Sequence, residues 1–194
     1  MSFHHVAITT KDLPATHRFY TEAAGFALAK VDVLDSPVGG WMRHALYDTG
    51  DGSVLAVLEF NDDSMGEYRT DLSTGLGLPS FANHIAFGAH DLDELDARRL
   101  CLLDHGHGCV VMDHDYTISL YVDDPNGIVI EFSTCVRPML TEENRLLAQD
   151  LIHAKTPPAN VGEPVMEFFD PTQPQRIASN IVANARKLDV VTAS

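Results

Sequence analysis

The chain has 194 residues, 45% of them hydrophobic, which is enough to bury one substantial core in one or two small domains. Its formal net charge of −15 disfavours nucleic acid and anionic membranes as partners, and no apolar run approaches the roughly 18 residues of a membrane span. The three cysteines form no CxxC motif and the N-terminus lacks the pattern of a signal peptide, so the composition predicts a cytoplasmic protein.

The first predicted unit spans residues 3–65 and opens with a strand. Residues 4–9 alternate and include β-branched side chains, a pattern typical of a strand. A helix is predicted over 12–24, because its apolar side chains fall on one stripe and Gly25 follows at the position of a C-cap glycine. Two apolar runs around the sequence TGDG then indicate a β-hairpin.

The second predicted unit spans residues 80–135 and repeats this order. A strand, HIAFGAH, precedes a helix that ends at Gly106, and three further strands follow, GCVVM, TISLYVD and IVIEFST. The sequence DDPNG between the last two strands is typical of a tight turn. The order β-α-β-β-β therefore occurs twice. Such a repeat predicts an α+β fold in which two like modules pack about a pseudo-twofold axis and share one cleft.

The remaining residues, 136–194, do not continue the repeat. Helices are predicted over 141–155 and 177–191, and the proline-containing arm between them is not expected to form regular structure throughout. The arm carries apolar side chains that are expected to cap the cleft or to contact a second subunit, with a flexible tail as the alternative: Met166, Phe168 and Phe169.

Two histidines and two glutamates recur at matching places in the repeat. His5 and His84 lie on the first strand of each unit, and Glu59 and Glu131 precede a phenylalanine in the last strand. The repeat therefore predicts that these four side chains converge in the shared cleft. Neutral imidazole and carboxylate together suit a divalent transition metal. The competing interpretation is structural, with core histidines satisfied by backbone groups and glutamates that face outwards from the sheet.

Tyr121 and His114 are candidates for catalysis beside such a metal. Tyr121 precedes Glu131 by ten residues across a hairpin, so the two are predicted to lie opposite each other. A phenol at that place can hydrogen-bond a bound oxyanion, and a histidine can act as an acid or a base near neutral pH. For both side chains, packing within the core is the alternative role.

Three stretches carry a family resemblance: HHVAITTKDLPATHRFYTEAAGF, NHIAFGAHDLDEL and YVDDPNGIVIEF. Over residues 3–135 the chain resembles the vicinal oxygen chelate superfamily, which includes glyoxalase I, type I extradiol dioxygenases, and the bleomycin and fosfomycin resistance proteins. The resemblance implies paired βαβββ modules that form a cup around a divalent metal. It also implies His5, His84 and Glu131 as the metal ligands, and a homodimer, since members of this family often dimerise.

The extradiol dioxygenases of that family share one feature with this chain and differ from it in another. The resemblance implies a set of two histidines and one carboxylate for Fe(II), with positions left for a catecholate and O2. Tyr121 falls at the spacing of the active-site tyrosine of that group. Met112 stands where the group has an upstream histidine, and His114 is the substitute two residues later.

The glyoxalase I group shares a different feature. There a fourth ligand joins the set, and Glu59 falls at its place, whereas Thr9 and Thr10 stand where an arginine for the glutathione carboxylate is expected. Resistance proteins of the bleomycin type need no metal ligands.

The sequence therefore predicts an extradiol-type dioxygenase that acts on a catechol-like or enolic vicinal diol, with Fe(II) ahead of Mn, Ni or Zn. A lactoylglutathione lyase-like isomerase is the first alternative, and a non-catalytic antibiotic-binding protein is the second.

Overall fold

The structure, a computed structural model, describes residues 4–50, 52–156, 164–172 and 178–192. The helices and strands follow in the order β1 (His5–Thr10), α1 (Leu13–Arg18), β2 (Ala27–Asp35), β3 (Trp41–Asp48), β4 (Val54–Asn61), β5 (His84–Gly88), α2 (Leu92–Asp104), β6 (Cys109–Asp113), β7 (Thr117–Asp123), β8 (Val129–Cys135), α3 (Glu142–Leu151), β9 (Val165–Phe169) and α4 (Asn180–Thr192). None of the described helices is long and apolar enough to cross a membrane.

The first sheet has the strand order β1-β4-β3-β2, in which β1 runs parallel to β4 and the other neighbours are antiparallel. The side chain of Asp12 accepts a hydrogen bond from Ala15 N and so caps the start of α1. α1 continues directly into a π-helical turn over Phe19–Ala23. Gly25 follows with a φ of 78°, a conformation that glycine adopts without steric cost, so the predicted C-cap is confirmed.

The second sheet has the strand order β5-β8-β7-β6-β9, in which β5 runs parallel to β8 and the other neighbours are antiparallel. Its first four strands repeat the topology of the first sheet. The α+β fold of paired βαβββ units that the sequence predicts is therefore confirmed. The sequence pattern did not identify β2, nor the strand Val165–Phe169, which pairs with β6 as β9.

Among the described residues, one hydrophobic core lies on the side of both sheets that faces the helices. α2 packs across β6, β7 and β8, and the guanidinium of Arg98 lies 4.8 Å from the ring centre of Phe132. The ring of Phe26, which follows α1, contacts Phe87 on β5 and Phe132 on β8 at centroid distances of 4.8 and 6.2 Å. The helix-facing sides of the two sheets are thereby joined through aromatic packing.

A buried hydrogen bond between Tyr20 and Asp124 also connects the two units. The phenol of Tyr20, fully buried, donates to Asp124 Oδ2 over 2.9 Å. Asp124 Oδ1 accepts from the backbone N–H groups of Asn126 and Ile128, which shapes the β7–β8 turn. Burial raises the pKa of both Tyr20 and Asp124. Because a buried polar group without a partner is costly, this pair fixes how α1 sits against the β7–β8 turn.

Two of the C-terminal elements differ sharply in how they pack. α4 lies against α2, β6, β7 and β9, and Ile181 and Val182 are buried there, as expected from the sequence. α3 has the predicted N-cap, Thr141, whose side chain accepts from Asn144 N. Its residues 142–151 are all exposed.

Candidate functional site

The strand register places the candidate residues of the second sheet on one face, opposite the helices. Tyr121 on β7 pairs directly with Glu131 on β8, which pairs with Ala86 on β5. His84 lies two residues before Ala86, and because side chains alternate along a strand it points to the same side. We call this surface, defined by His84, Glu131 and Tyr121, the site face. The predicted opposition of Tyr121 and Glu131 is confirmed.

His84 and Glu131 lie in direct contact on the site face. His84 Nε2 is 3.0 Å from Glu131 Oε2, and His84 Nδ1 is 3.0 Å from the carbonyl oxygen of Phe81. Both ring nitrogens of His84 thus face oxygen acceptors. With the Nδ1 proton donated to the backbone carbonyl, Nε2 is the nitrogen that a metal ion in place of its proton could bind, which is the usual arrangement of a metal-binding histidine. The short 3-10 turn before β5 therefore sets the orientation of this ring.

The carboxylate of Glu131 is held in place by the hydroxyl group of Ser119. The carboxylate is only 8% exposed, and Ser119 Oγ donates to Glu131 Oε1 over 2.6 Å. Ser119 Oγ also lies 3.0 Å from Ser133 Oγ. One carboxylate oxygen is thus held by Ser119 while the other faces His84, so Glu131 is fixed in orientation. A buried carboxylate so constrained is suited to binding a cation.

Tyr121 and His114 form a second contact beside this pair. Tyr121 Oη lies 2.9 Å from His114 Nε2, and the rings of Tyr121 and His84 pack edge to face at a centroid distance of 6.0 Å. Burial raises the pKa of Tyr121 to about 12, and the negative charge of Glu131 adds to the effect. The phenol therefore keeps its proton near neutral pH and donates to His114 when the imidazole is neutral.

His5 lies on the other sheet, away from these four residues. It is exposed on β1, and its Nδ1 is 2.8 Å from Nδ1 of His4. Among the residues that the structure describes, no group of three or more histidine, cysteine or acidic side chains is close enough to hold one metal ion. The prediction that His5, His84 and Glu131 converge is therefore wrong within one chain, because the two sheets meet through their helix-facing sides.

Glu59 does not occupy the place in the first sheet that Glu131 occupies in the second. His84 pairs with Val129, two residues before Glu131, whereas His5 pairs with Val54, five residues before Glu59. The residue equivalent to Glu131 is therefore Ala56. The matching Glu-Phe sequences suggested otherwise, but the hydrogen-bond ladder sets the register, and an odd offset moves a side chain to the opposite face.

Glu59 faces the helix side of the first sheet and has its own partners there. It is 5% exposed, and its carboxylate accepts from Arg43 Nε over 2.6 Å and from Leu13 N over 3.0 Å. Leu13 is the first residue of α1, where an unpaired backbone N–H attracts a negative charge. The structure thus assigns Glu59 to the support of α1, which corrects its prediction as a metal ligand.

The donor set on the site face fits a divalent metal in its chemistry and its spacing. Imidazole nitrogen and carboxylate oxygen are ligands for iron, manganese, nickel or zinc. Two ligand atoms at right angles on an ion with bonds of about 2.1 Å lie about 3.0 Å apart. The 3.0 Å between His84 Nε2 and Glu131 Oε2 matches this spacing. The pair supplies two ligands, so a protein site of three needs one more side chain.

We did not predict from the sequence that Ser119 and the carbonyl of Phe81 orient the two candidate ligands. A signal for Ser119 was present, since it lies two residues before Tyr121 on the same strand and so shares its face. Phe81 could not be identified in that way. Its contact with His84 depends on the 3-10 turn Ser80–Ala82, which no periodicity predicts.

Comparison with known families decides the wider relationship. Residues 2–132 match the family model described as the glyoxalase/bleomycin resistance protein/dioxygenase superfamily. The chain belongs to this superfamily. The match ends within β8, so α3, β9 and α4 lie beyond the part that the superfamily model covers. No curated protein matches the chain.

Solved structures resemble the superfamily part of the chain. A glyoxylase/bleomycin resistance protein/dioxygenase domain from Frankia sp. EAN1pec has 19% identity and a TM-score of 0.56, over 70% of this chain and 98% of that one. The protein SMU.1112c has 22% identity and a TM-score of 0.50, over 69% and 98%. The fosfomycin resistance protein FosX from Listeria monocytogenes, complexed with Mn(II) and sulfate, has 21% identity and a TM-score of 0.46, over 75% and 97%.

Proposed function

We propose that this protein is a divalent-metal-dependent enzyme of the extradiol dioxygenase type that acts on a catechol-like or enolic vicinal diol. The observation that carries the proposal is the placement of two functional pairs side by side on the site face. His84 and Glu131 are the candidate metal ligands, and His114 and Tyr121 lie next to them in hydrogen-bond contact. Fe(II) is the proposed ion, because two histidines and a carboxylate are typical of non-haem iron oxygenases.

A divalent metal at this place would supply a Lewis acid that polarises two adjacent substrate oxygens. The remaining chemistry falls to the side chains of the chain itself. We assign His114 the role of accepting a proton from a substrate hydroxyl, since an imidazole within hydrogen-bond reach of Tyr121 can act as a general base there. Tyr121 keeps its proton and can donate a hydrogen bond to the oxygen that becomes negative.

The position of Glu59 favours this function over a lactoylglutathione lyase-like isomerase. In the isomerase alternative Glu59 would be a fourth ligand. Glu59 instead accepts from Arg43 and Leu13 on the helix side of the first sheet. A set of three protein ligands leaves three positions of an octahedron, which is sufficient for a bidentate diol and O2.

We further propose that His5 of a second copy completes the ligand set, so that the active enzyme is a homodimer. His5 lies on the face of the first sheet that corresponds to the site face. Ala7 on the same strand as His5, and Ala86 and Gly88 on the same strand as His84, are small and exposed, so both faces are open near the two histidines. A twofold axis would bring each first sheet against the site face of the partner and form two identical sites.

The metal and substrate are tested on protein stripped of metal and then loaded with Fe(II) without oxygen. We expect O2 uptake and a coloured ring-cleavage product with a panel of catechols. Catalytic turnover of a hemithioacetal by protein loaded with Ni or Zn, together with no reaction of catechols, would instead establish the isomerase. His84→Ala should abolish metal retention, while His153→Ala, a change at an exposed histidine of the C-terminal extension, should leave it unchanged.

The shared site is tested by mixing two inactive variants, His5→Ala and Glu131→Ala. Each mixed dimer would contain one intact site and one site with both substitutions. Random exchange of subunits should therefore restore about a quarter of the wild-type metal content. A mixture that remains without metal, although the subunits exchange, would show that the site does not lie between two copies.

A further inference from the structure

β9 extends the site face beyond the part of the chain that matches the superfamily. Phe168 pairs with Val110 on β6, and Val110 pairs with Tyr121 on β7. Directly paired residues project to the same side of a sheet, so Phe168 lies on the site face, in one transverse row with Tyr121 and Glu131. In the next row of residues on this face, Met166 on β9 pairs with Met112 on β6 in the same way.

The contacts of the alternate residues confirm which way β9 faces. Glu167 accepts hydrogen bonds from Ser179 Oγ over 2.8 Å and from Asn180 N over 3.0 Å, at the start of α4. The ring of Phe169 lies 4.5 Å from the guanidinium carbon of Arg99 on α2. Both side chains therefore point to the helices, and Phe168 between them points the other way.

Phe168 is an exposed aromatic side chain on a well-anchored strand. It is 70% exposed, although β9 is fixed by its pairing with β6 and by the contacts with α2 and α4. Neighbouring strands lie about 4.8 Å apart, so Phe168 is about 10 Å from Tyr121 across the sheet. That distance is within reach of a ring-sized group attached to a diol held beside Tyr121.

The rows around Phe168 carry no cationic side chain. They consist of Ala86, Glu131, Tyr121, Val110 and Phe168, and of Gly88, Ser133, Ser119, Met112 and Met166. An anionic substituent would find no cationic partner among these residues, and Glu131 would repel it. The β6 and β9 positions of both rows are apolar, so this end of the site face suits a neutral, apolar group.

We propose that Phe168 and Met166 of the C-terminal extension, together with Val110 and Met112, form an apolar wall that selects vicinal diols bearing a neutral, ring-sized apolar substituent. This inference rests on the proposed function for the diol end of the substrate. The wall itself depends only on the register of β9. It makes Phe168 a specificity-determining residue that acts on the substituent, away from the reacting oxygens.

Binding measurements with a redox-inactive ion test the wall without turnover. Zn(II)-loaded protein is titrated with catechol and with 3-phenylcatechol by calorimetry. We expect the wild type to bind 3-phenylcatechol at least about tenfold more tightly than catechol, and Phe168→Ala to lose most of that preference. Val165→Ala, a change at an exposed apolar residue on the other side of β9, should keep it. An unchanged preference in Phe168→Ala would overturn the proposal.

A second probe separates this inference from the proposed function. If neither catechol binds, the proposed diol chemistry fails, and the neutral dye Nile red then tests the wall on metal-free protein. The fluorescence of the dye should increase when the wild type or Val165→Ala is added. With Phe168→Ala this increase should be at least about fivefold smaller than with the wild type. Equal fluorescence on all three would reject the wall. Conversion of a dimer to a monomer by Phe168→Ala in sedimentation would also reject it, because Phe168 would then belong to a subunit contact.

Discussion

The two sheets have the same strand order in their repeated part but differ in what they carry opposite the helices. In the second sheet, Glu131 contacts His84 and Tyr121 contacts His114, while Ser119 on the neighbouring strand donates to Glu131. The equivalent residues of the first sheet follow from the register and are Ala56, Leu46 and His44. Both sheets thus carry a histidine on their first strand, whereas the residues of the first sheet that are equivalent to Glu131 and Tyr121 are apolar. Under the proposed function, the chemistry belongs to the second sheet, and the first sheet contributes His5 of a second copy.

The largest contrast is expected between the two glutamates. Glu131→Ala should weaken metal binding at least about 100-fold, because even the outer partners of metal ligands contribute 10- to 100-fold. Glu59→Ala should leave the affinity unchanged, since Glu59 contacts Arg43 and α1 on the other side of its sheet. Titration of metal-free protein with Zn(II) measures both. Equal losses in the two variants would contradict the assignment of the metal to the second sheet.

A smaller effect, on turnover alone, is expected at Tyr121. Tyr121→Phe keeps the ring but removes the hydroxyl that contacts His114, so it should lower kcat by about 10- to 100-fold at unchanged metal affinity. Leu46→Met at the equivalent place of the first sheet is the matched control and should leave kcat unchanged. Wild-type kcat in Tyr121→Phe would remove the tyrosine from the mechanism.

Ser119 should affect the metal rather than turnover, and to a lesser degree than Glu131. Ser119→Ala releases one oxygen of Glu131 and should weaken metal binding about tenfold. His44→Ala, its counterpart in the first sheet, should not change the affinity. If His44→Ala weakens binding and Ser119→Ala does not, the functional face has been assigned to the wrong sheet.

The smallest effect concerns stability. Glu59→Gln should lower the free energy of unfolding by about 1 kcal/mol, because it weakens the contacts with the part-exposed Arg43 and with the start of α1. Urea denaturation of the metal-free protein measures the change. A midpoint equal to that of the wild type would mean that Glu59 contributes no net stability to its sheet.

The repeat in the sequence was sufficient to predict the paired units, because alternation, turn residues and a C-cap glycine mark most of their elements; no such pattern marked β2, which is exposed on both faces for most of its length. The same pattern placed Tyr121 opposite Glu131 correctly. It failed for Glu59, because matching Glu-Phe sequences do not fix the register of a strand. The stretches LYDTGDGSVLAVLEF and LYVDDPNGIVIEF differ in length. Their equivalence is instead set by the pairing with the first-strand histidines, which makes Val54 the counterpart of Val129. It also failed for convergence, because how two sheets pack depends on contacts such as Phe26 with Phe132, which are distant in sequence.

β9 has a consequence for solubility that is separate from any role in binding. Without it, β6 would be the edge of the second sheet and would offer the unpaired backbone of the apolar sequence CVVMD to any other chain. β9 covers that edge, and Pro164 and Pro171 stand just before and just after it. Proline cannot donate to a further strand, so the new edge is short and bounded at both ends. The C-terminal extension therefore protects the chain against edge-to-edge aggregation, and a protein shortened to the superfamily part alone would lose that protection.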